Sequence, residues 1–104
     1  MQSRGRKERV MFKLEDAAKA VTEVGIEIAD ELFDLDDVLV GMDVELEHGT
    51  RYPDLNVTGD DPVMSAKIAL AHLREFPDYY KRLASMEKQA EAAWALKDEV
   101  ILGI

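Results

Sequence analysis

Apolar residues recur every three or four positions along most of this chain, and turn-forming residues interrupt the pattern at three places. Such spacing places apolar side chains on one side of an α-helix. The interruptions are Gly25, the stretch 49–61 (GTRYPDLNVTGDD) and Pro77, since glycine favours helix ends and proline disfavours helix at the preceding residue. We therefore predict an all-α, small four-helix bundle-like domain with one long loop at 49–61 and a Pro77 break between the last two helices.

The four predicted helices cover residues 14–24, 35–48, 62–75 and 78–102. Asp34 and the pair Asp61–Pro62 are the residue types that begin helices. Gly49 is predicted to close the second helix. Gly41 lies inside that helix, at a cost of up to ~1 kcal/mol relative to alanine. It indicates either the close approach of another backbone or simple tolerance of glycine.

The last predicted helix carries an apolar seam at near-heptad spacing. Its members are Tyr79, Leu83, Met86, Ala90, Ala93 and Trp94. A seam of this kind is typically buried. We therefore expect Tyr79 in the core, Tyr80 at the flank, and Trp94 in the core or in an interface.

Charge is unevenly distributed and divides the chain into three parts. The net charge is −9, yet residues 1–9 carry four cations against Glu8, so the rest carries −12. We assign residues 1–9 to a basic N-terminal arm, 10–99 to one helical domain and 100–104 (VILGI) to an apolar C-terminal tail. Both ends are candidates for binding a protein partner, since apolar terminal peptides dock into grooves. The candidate residues are Arg4, Arg6, Lys7, Arg9, Val100, Ile101, Leu102 and Ile104.

Composition restricts the chemistry that the chain can perform. There is no cysteine, so disulfides, zinc–thiolate sites and thiol catalysis are excluded. No apolar run approaches the ~18 residues of a membrane span, so we expect a cytoplasmic protein without membrane contact. An acidic body repels phosphates, which confines any nucleic-acid contact to the basic arm.

Two histidine motifs could bind a metal. Glu45-x-x-His48 lies on the second predicted helix and His72-x-x-Glu75 on the third. Residues three apart share one side of a helix, so each pair could offer a carboxylate oxygen and an imidazole nitrogen to iron, manganese or zinc. The alternative is that no cofactor is bound and that His72 is a core histidine hydrogen-bonded to Glu45, to Glu75 or to a backbone carbonyl.

The long loop contains a string that resembles the start of a calcium loop. Asp54, Asn56 and Thr58 alternate, and Gly59 occupies the sixth position. The twelfth position, however, is Ser65 rather than a bidentate glutamate. We therefore interpret these residues as turn and capping residues.

Two strings in the second half of the chain are distinctive: GMDVELEHGT, and NVTGDDPVMSAKIALAHLREFPDYYKRLASMEKQAE. In them, the patterns GMxVELEHG and KIALAHLxEFPDYYxRL resemble a family of small, uncharacterised bacterial and bacteriophage helical proteins, a domain of unknown function. The resemblance spans residues 41–94, about half of the chain. It implies a helical fold and a bacterial or phage origin, and it implies no activity.

These observations favour a non-enzymatic structural or interaction protein. We expect an accessory component of a larger bacteriophage or bacterial assembly, docked through its termini to a protein partner or to itself, in the cytoplasm or in a phage particle assembled there. One alternative is a helical metal-binding protein that uses the carboxylate and histidine ligands named above. A second is an acidic regulator that binds a basic partner.

Overall fold

A computed structural model describes the backbone of residues 11–101 and the side chains of residues 11–95. Its four α-helices are α1 (Leu14–Val24), α2 (Leu35–Arg51), α3 (Pro62–Glu75) and α4 (Tyr79–Ile101), and short 3₁₀ turns lie at Ile28–Asp30 and Pro53–Leu55. The described part of the chain contains no strand. The all-α fold and its four helices, with a break at Pro77, are therefore as predicted.

Each of the first three helices begins at an acidic side chain that binds a free backbone N–H. Asp16 Oδ2 accepts a hydrogen bond from the Lys13 N–H (2.8 Å), and Asp61 Oδ2 accepts one from the Met64 N–H (2.8 Å). At α2 the arrangement is reciprocal, because Asp34 accepts from the Asp37 N–H and Asp37 accepts from the Asp34 N–H. The hydrogen bond from the Asp37 N–H lowers the pKa of Asp34, and anionic caps also suit the positive helix N-terminus.

The core lies where α1, α2 and α3 meet. Its buried side chains are Ala17, Ala20 and Val21 of α1, Phe33 just before α2, Val38 and Met42 of α2, Ala66, Ala69, Leu70 and Leu73 of α3, and Tyr80 of α4. Small residues on α1 and α3 permit close helix packing. Since Tyr80 alone is fully buried among the described side chains of α4, this helix joins the bundle mainly through its first turn.

The end of α2 and the following loop differ from the prediction. The helix continues through Gly49 to Arg51, so Gly49 does not close it. A Cβ on Gly49 would lie 2.6 Å from Asn56 Oδ1, which shows that the glycine makes room for the loop. Asn56 Oδ1 in turn accepts a hydrogen bond from the Gly59 N–H, and its Nδ2 donates to Asp60. These residues thus form turn hydrogen bonds.

None of the described helices combines the length and apolar character that crossing a bilayer requires.

Candidate functional site

The structure brings together only part of the predicted metal set. Glu45 Oε1 lies 3.9 Å from His48 Nδ1 on α2. His72, on α3, instead stacks on the ring of Tyr79, with centroids 4.1 Å apart and planes inclined by 4°. Glu75 is exposed at the end of α3. Within residues 11–95, no three histidine, aspartate or glutamate side chains are grouped so that they could hold a metal ion.

The side chain bonded to Glu45 is Tyr80. The Tyr80 hydroxyl donates a hydrogen bond to Glu45 Oε2 at 2.9 Å. Tyr80 is 6% exposed and the Glu45 side chain 13% exposed, so both groups are mostly withdrawn from water and Glu45 keeps a small contact with it. Burial, followed by the negative charge of Glu45, raises the pKa of Tyr80 well above its usual value. The hydroxyl therefore remains a hydrogen-bond donor at physiological pH.

Gly41 provides the space that Tyr80 occupies. A Cβ at Gly41 would lie 2.5 Å from Tyr80 Cε2 and 2.7 Å from Ala69 Cβ, closer than van der Waals contact permits. Of the two interpretations of this glycine, close approach is correct, although the approaching group is an aromatic ring rather than a backbone. Gly41 and Glu45 are four residues apart, so one side of α2 presents both the notch and the hydrogen-bond acceptor.

Three aromatic rings complete this junction. Tyr79 meets Tyr80 edge to face at 4.9 Å, and His72 meets Tyr80 in the same manner at 6.1 Å. Such pairs contribute about 0.5–1.5 kcal/mol each beyond area burial. We call Gly41, Glu45, His72, Tyr79 and Tyr80 the α4 latch. Its contacts fasten the start of α4 to α2 and α3, which is a structural role.

The expected burial of the two tyrosines is reversed. Tyr80 is buried and Tyr79 is half-buried, so the prediction of a core Tyr79 and a flanking Tyr80 is wrong. Trp94 is 56% exposed and is not a core residue. The physical reason is that α4 contacts the bundle through the side that carries Tyr80, and the near-heptad seam lies beside that contact.

The seam of α4 therefore forms an apolar surface. Phe76, just before the helix, is 56% exposed and Met86 is 53% exposed. Leu83 and Tyr79 are half-buried between them. Together with Arg82 they line a shallow hollow of about 310 Å³. We call the surface formed by Phe76, Tyr79, Leu83, Met86, Ala90 and Trp94 the α4 face. Clustered exposed apolar side chains of this kind mark interaction sites.

His48 lies in a second groove, between α2 and α4. The groove measures about 340 Å³ and is also lined by Arg51, Glu87 and Glu91. It mixes cationic and anionic side chains, and Arg51 already pairs with Glu47 at 3.0 Å. This arrangement is typical of a solvated boundary between two helices.

The predicted terminal docking residues lie outside the described side chains. Arg4, Arg6, Lys7, Arg9, Leu102 and Ile104 are beyond residues 11–101, and Val100 and Ile101 lie on the last turn of α4, for which only the backbone is described. The apolar surface that the structure does describe begins earlier in the chain. The sequence shows the apolar spacing of this surface, from Phe76 along the α4 seam, but not its exposure.

The chain was also compared with known protein families. A family model described as "Protein of unknown function (DUF5661)" matches residues 17–89. The chain belongs to the DUF5661 family. No curated protein and no solved structure matches the chain.

The part that matches the DUF5661 model covers most of α1, all of α2 and α3, and the first half of α4. It includes the whole α4 latch and the hollow from Phe76 to Met86. Trp94 lies beyond the match. The membership agrees with the expectation of an uncharacterised family, and the family description names no activity.

Proposed function

We propose that this protein is a non-enzymatic interaction protein, an accessory component of a larger assembly, and that the α4 face is its docking surface. The observation that carries the proposal is the exposure of Phe76 and Met86 around the hollow on α4. Withdrawing such side chains from water contributes roughly 25 cal/mol per Å² of apolar area buried. Binding a partner is the event that would bury them.

The α4 latch supports this role because it holds the docking helix in place. The Tyr80–Glu45 hydrogen bond and the Gly41 notch anchor the first turn of α4. Residues 84–95 of this 23-residue helix are exposed except for the half-buried Ala90, so its apolar seam is available to a partner. A pre-positioned helix loses less conformational freedom on binding than a disordered segment does.

The setting of the assembly belongs to the same proposal. The resemblance of the GMxVELEHG and KIALAHLxEFPDYYxRL strings favours a bacterial or bacteriophage origin. The absence of cysteine suits a reducing cytoplasm. The basic arm of residues 1–9 and the apolar tail of residues 100–104 would add contacts at either end of the docked protein.

Site-specific photo-crosslinking in cells that produce the protein tests this proposal. A benzophenone amino acid replaces Met86, on the α4 face, or Ser85, which is also exposed but lies about 100° around the helix from Met86. We expect discrete crosslinked products from position 86 and few from position 85. Equal yields from both positions, or none from position 86, would contradict the proposal.

A further inference from the structure

We infer that the groove between α2 and α4 is a pH-sensitive clasp, in which protonated His48 draws Glu87 toward α2 and neutral His48 releases it. The clasp sets how closely the second half of α4 lies against the bundle. This inference goes beyond the proposed function, because it does not require the α4 face to bind anything. Three features support it: the register of the two helices, the loose packing of α4 beyond its first turn, and the charges that line the groove.

The α4 latch fixes the register of α4 against α2. The Tyr80 ring fills the notch at Gly41. Glu87 lies seven residues after Tyr80, and His48 lies seven residues after Gly41. Seven residues complete nearly two helical turns, so each returns to the side of its helix that carries the latch residue. His48 and Glu87 accordingly line the same groove between the two helices.

Beyond this anchor, α4 packs loosely on the bundle. Ala90 is the one half-buried residue between positions 84 and 95, and the others are exposed. A tightly packed helix would turn apolar side chains toward its neighbour, whereas α4 presents Glu87 and Glu91 to the groove, which measures about 340 Å³. Segments with few buried apolar contacts open at low free-energy cost. Small changes of charge in the groove are therefore able to move this half of α4.

On α2, His48 is the residue whose charge changes near neutral pH. Its side chain is 51% exposed, and its Nδ1 lies 3.9 Å from Glu45 Oε1. Among the described residues that line the groove, Arg51 is the other cation. It is paired with Glu47 at 3.0 Å and keeps its charge at every physiological pH. Since histidine titrates between about pH 5 and 8, His48 is the source of the change in charge over this range.

On α4, Glu87 and Glu91 bring two negative charges to the groove. Glutamate side chains stay ionised above about pH 5. When His48 is neutral, these two charges face Glu45 and Glu47 of α2, and like charges repel. When His48 is protonated, it offers Glu87 an opposite charge at the matching position of α2. Protonation therefore favours the closed position of α4.

The expected response is limited because the pair is exposed to water. An exposed ion pair changes an equilibrium by up to about fivefold. Lowering the pH from 8 to 5.5 should therefore raise the ratio of closed to open α4 about two- to fivefold. At 1 M ionic strength the Debye length is about 3 Å, so the response should largely disappear.

The distance between two nitroxide spin labels tests the clasp, since the native chain has no cysteine that would take up a label. Thr50→Cys on α2 and Ala92→Cys on α4 place the labels at exposed positions that do not line the groove. By double electron–electron resonance, we expect the shorter-distance population to rise about two- to fivefold between pH 8 and pH 5.5. Circular dichroism at both pH values checks that the labelled chain remains folded.

Three substitutions in the labelled chain assign the response to its cause. His48→Gln removes the titrating group and Glu87→Gln removes its partner, so each should abolish the pH dependence. Glu23→Gln makes the same chemical change at an exposed position on α1, outside the groove, and should preserve it.

Label distances that do not change with pH in the otherwise native sequence would overturn the clasp. A pH response that survives in His48→Gln or in Glu87→Gln would also overturn it, as would one that Glu23→Gln abolishes equally. None of these outcomes affects the proposed function, which crosslinking at position 86 tests separately.

Discussion

Replacing Tyr80 with phenylalanine removes one hydroxyl from the α4 latch and leaves the ring against Gly41. The lost interaction is the 2.9 Å hydrogen bond to Glu45 Oε2. Hydrogen bonds to charged groups are worth about 1.5–3 kcal/mol. Because the Glu45 side chain is 13% exposed, water can replace part of the bond, and we expect a loss near the lower end, about 1.5 kcal/mol.

The assay is urea unfolding followed by circular dichroism, with the slope of the transition checked for constancy. A loss of about 1.5 kcal/mol corresponds to a fall in Tm of roughly 6–12 °C for a domain of this size. Tyr79→Phe is the matched control. Its ring stacks on His72 and the residue is half-buried. Removing its hydroxyl should change the unfolding free energy by less than about 0.5 kcal/mol.

A double-mutant cycle with Glu45→Gln isolates the pair. If the hydrogen bond stabilises the fold, the effects of Tyr80→Phe and Glu45→Gln will not add, and the coupling energy will be about 1 kcal/mol. Equal unfolding midpoints for Tyr80→Phe, Tyr79→Phe and the native chain, together with no coupling, would refute the role assigned to the latch.

Two further predictions concern the same junction. Burial and the charge of Glu45 raise the pKa of Tyr80 in the folded protein. The stability contributed by the neutral hydroxyl is therefore intact below pH 10.0, the ordinary tyrosine value, and falls as pH rises above it, by at most about 1.4 kcal/mol per pH unit. Urea midpoints from pH 8 to 11 should fall more steeply for the native chain than for Tyr80→Phe, and parallel curves would contradict this. Gly41→Val forces side-chain atoms into the Tyr80 ring and should lower the unfolding free energy by about 1–3 kcal/mol. The control Val40→Ala, at an exposed neighbour, should change it by about 0.5 kcal/mol or less. If the two variants are equally stable, the Tyr80 ring does not occupy the space at Gly41.

Local sequence signals predicted most of the helices because the causes of those helices are local. α1 and α3 begin and end at the predicted residues, since Gly25 after α1, Asp61 before α3 and the prolines at 62 and 77 act on the adjacent backbone. The end of α2 could not be predicted in this way. Asn56 packs on Gly49 from across the loop, so a residue that normally ends a helix lies within one.

The candidate sites were harder to predict because they depend on which side of each helix meets its neighbour. The spacing of Glu45 and His48 correctly placed both on one side of α2, but helical spacing cannot show that α3 presents His72 to Tyr79 instead. The near-heptad seam of α4 was visible in the sequence. Its exposure was not, because periodicity identifies a stripe without identifying what covers it.

The sequence by itself determined the all-α fold, the number of helices, the break at Pro77 and the uneven charge, since these follow from local backbone preferences and from composition. Only the tertiary structure decided that Tyr80 enters the core through the notch at Gly41, and that the adjacent seam is exposed. The reason is that α4 has one strong anchor at its first turn, and the contact geometry at that anchor sets the rotation of the whole helix. A rotation of one residue, about 100° on an α-helix, exchanges Tyr79 for Tyr80 in the core, and it leaves the α4 face exposed.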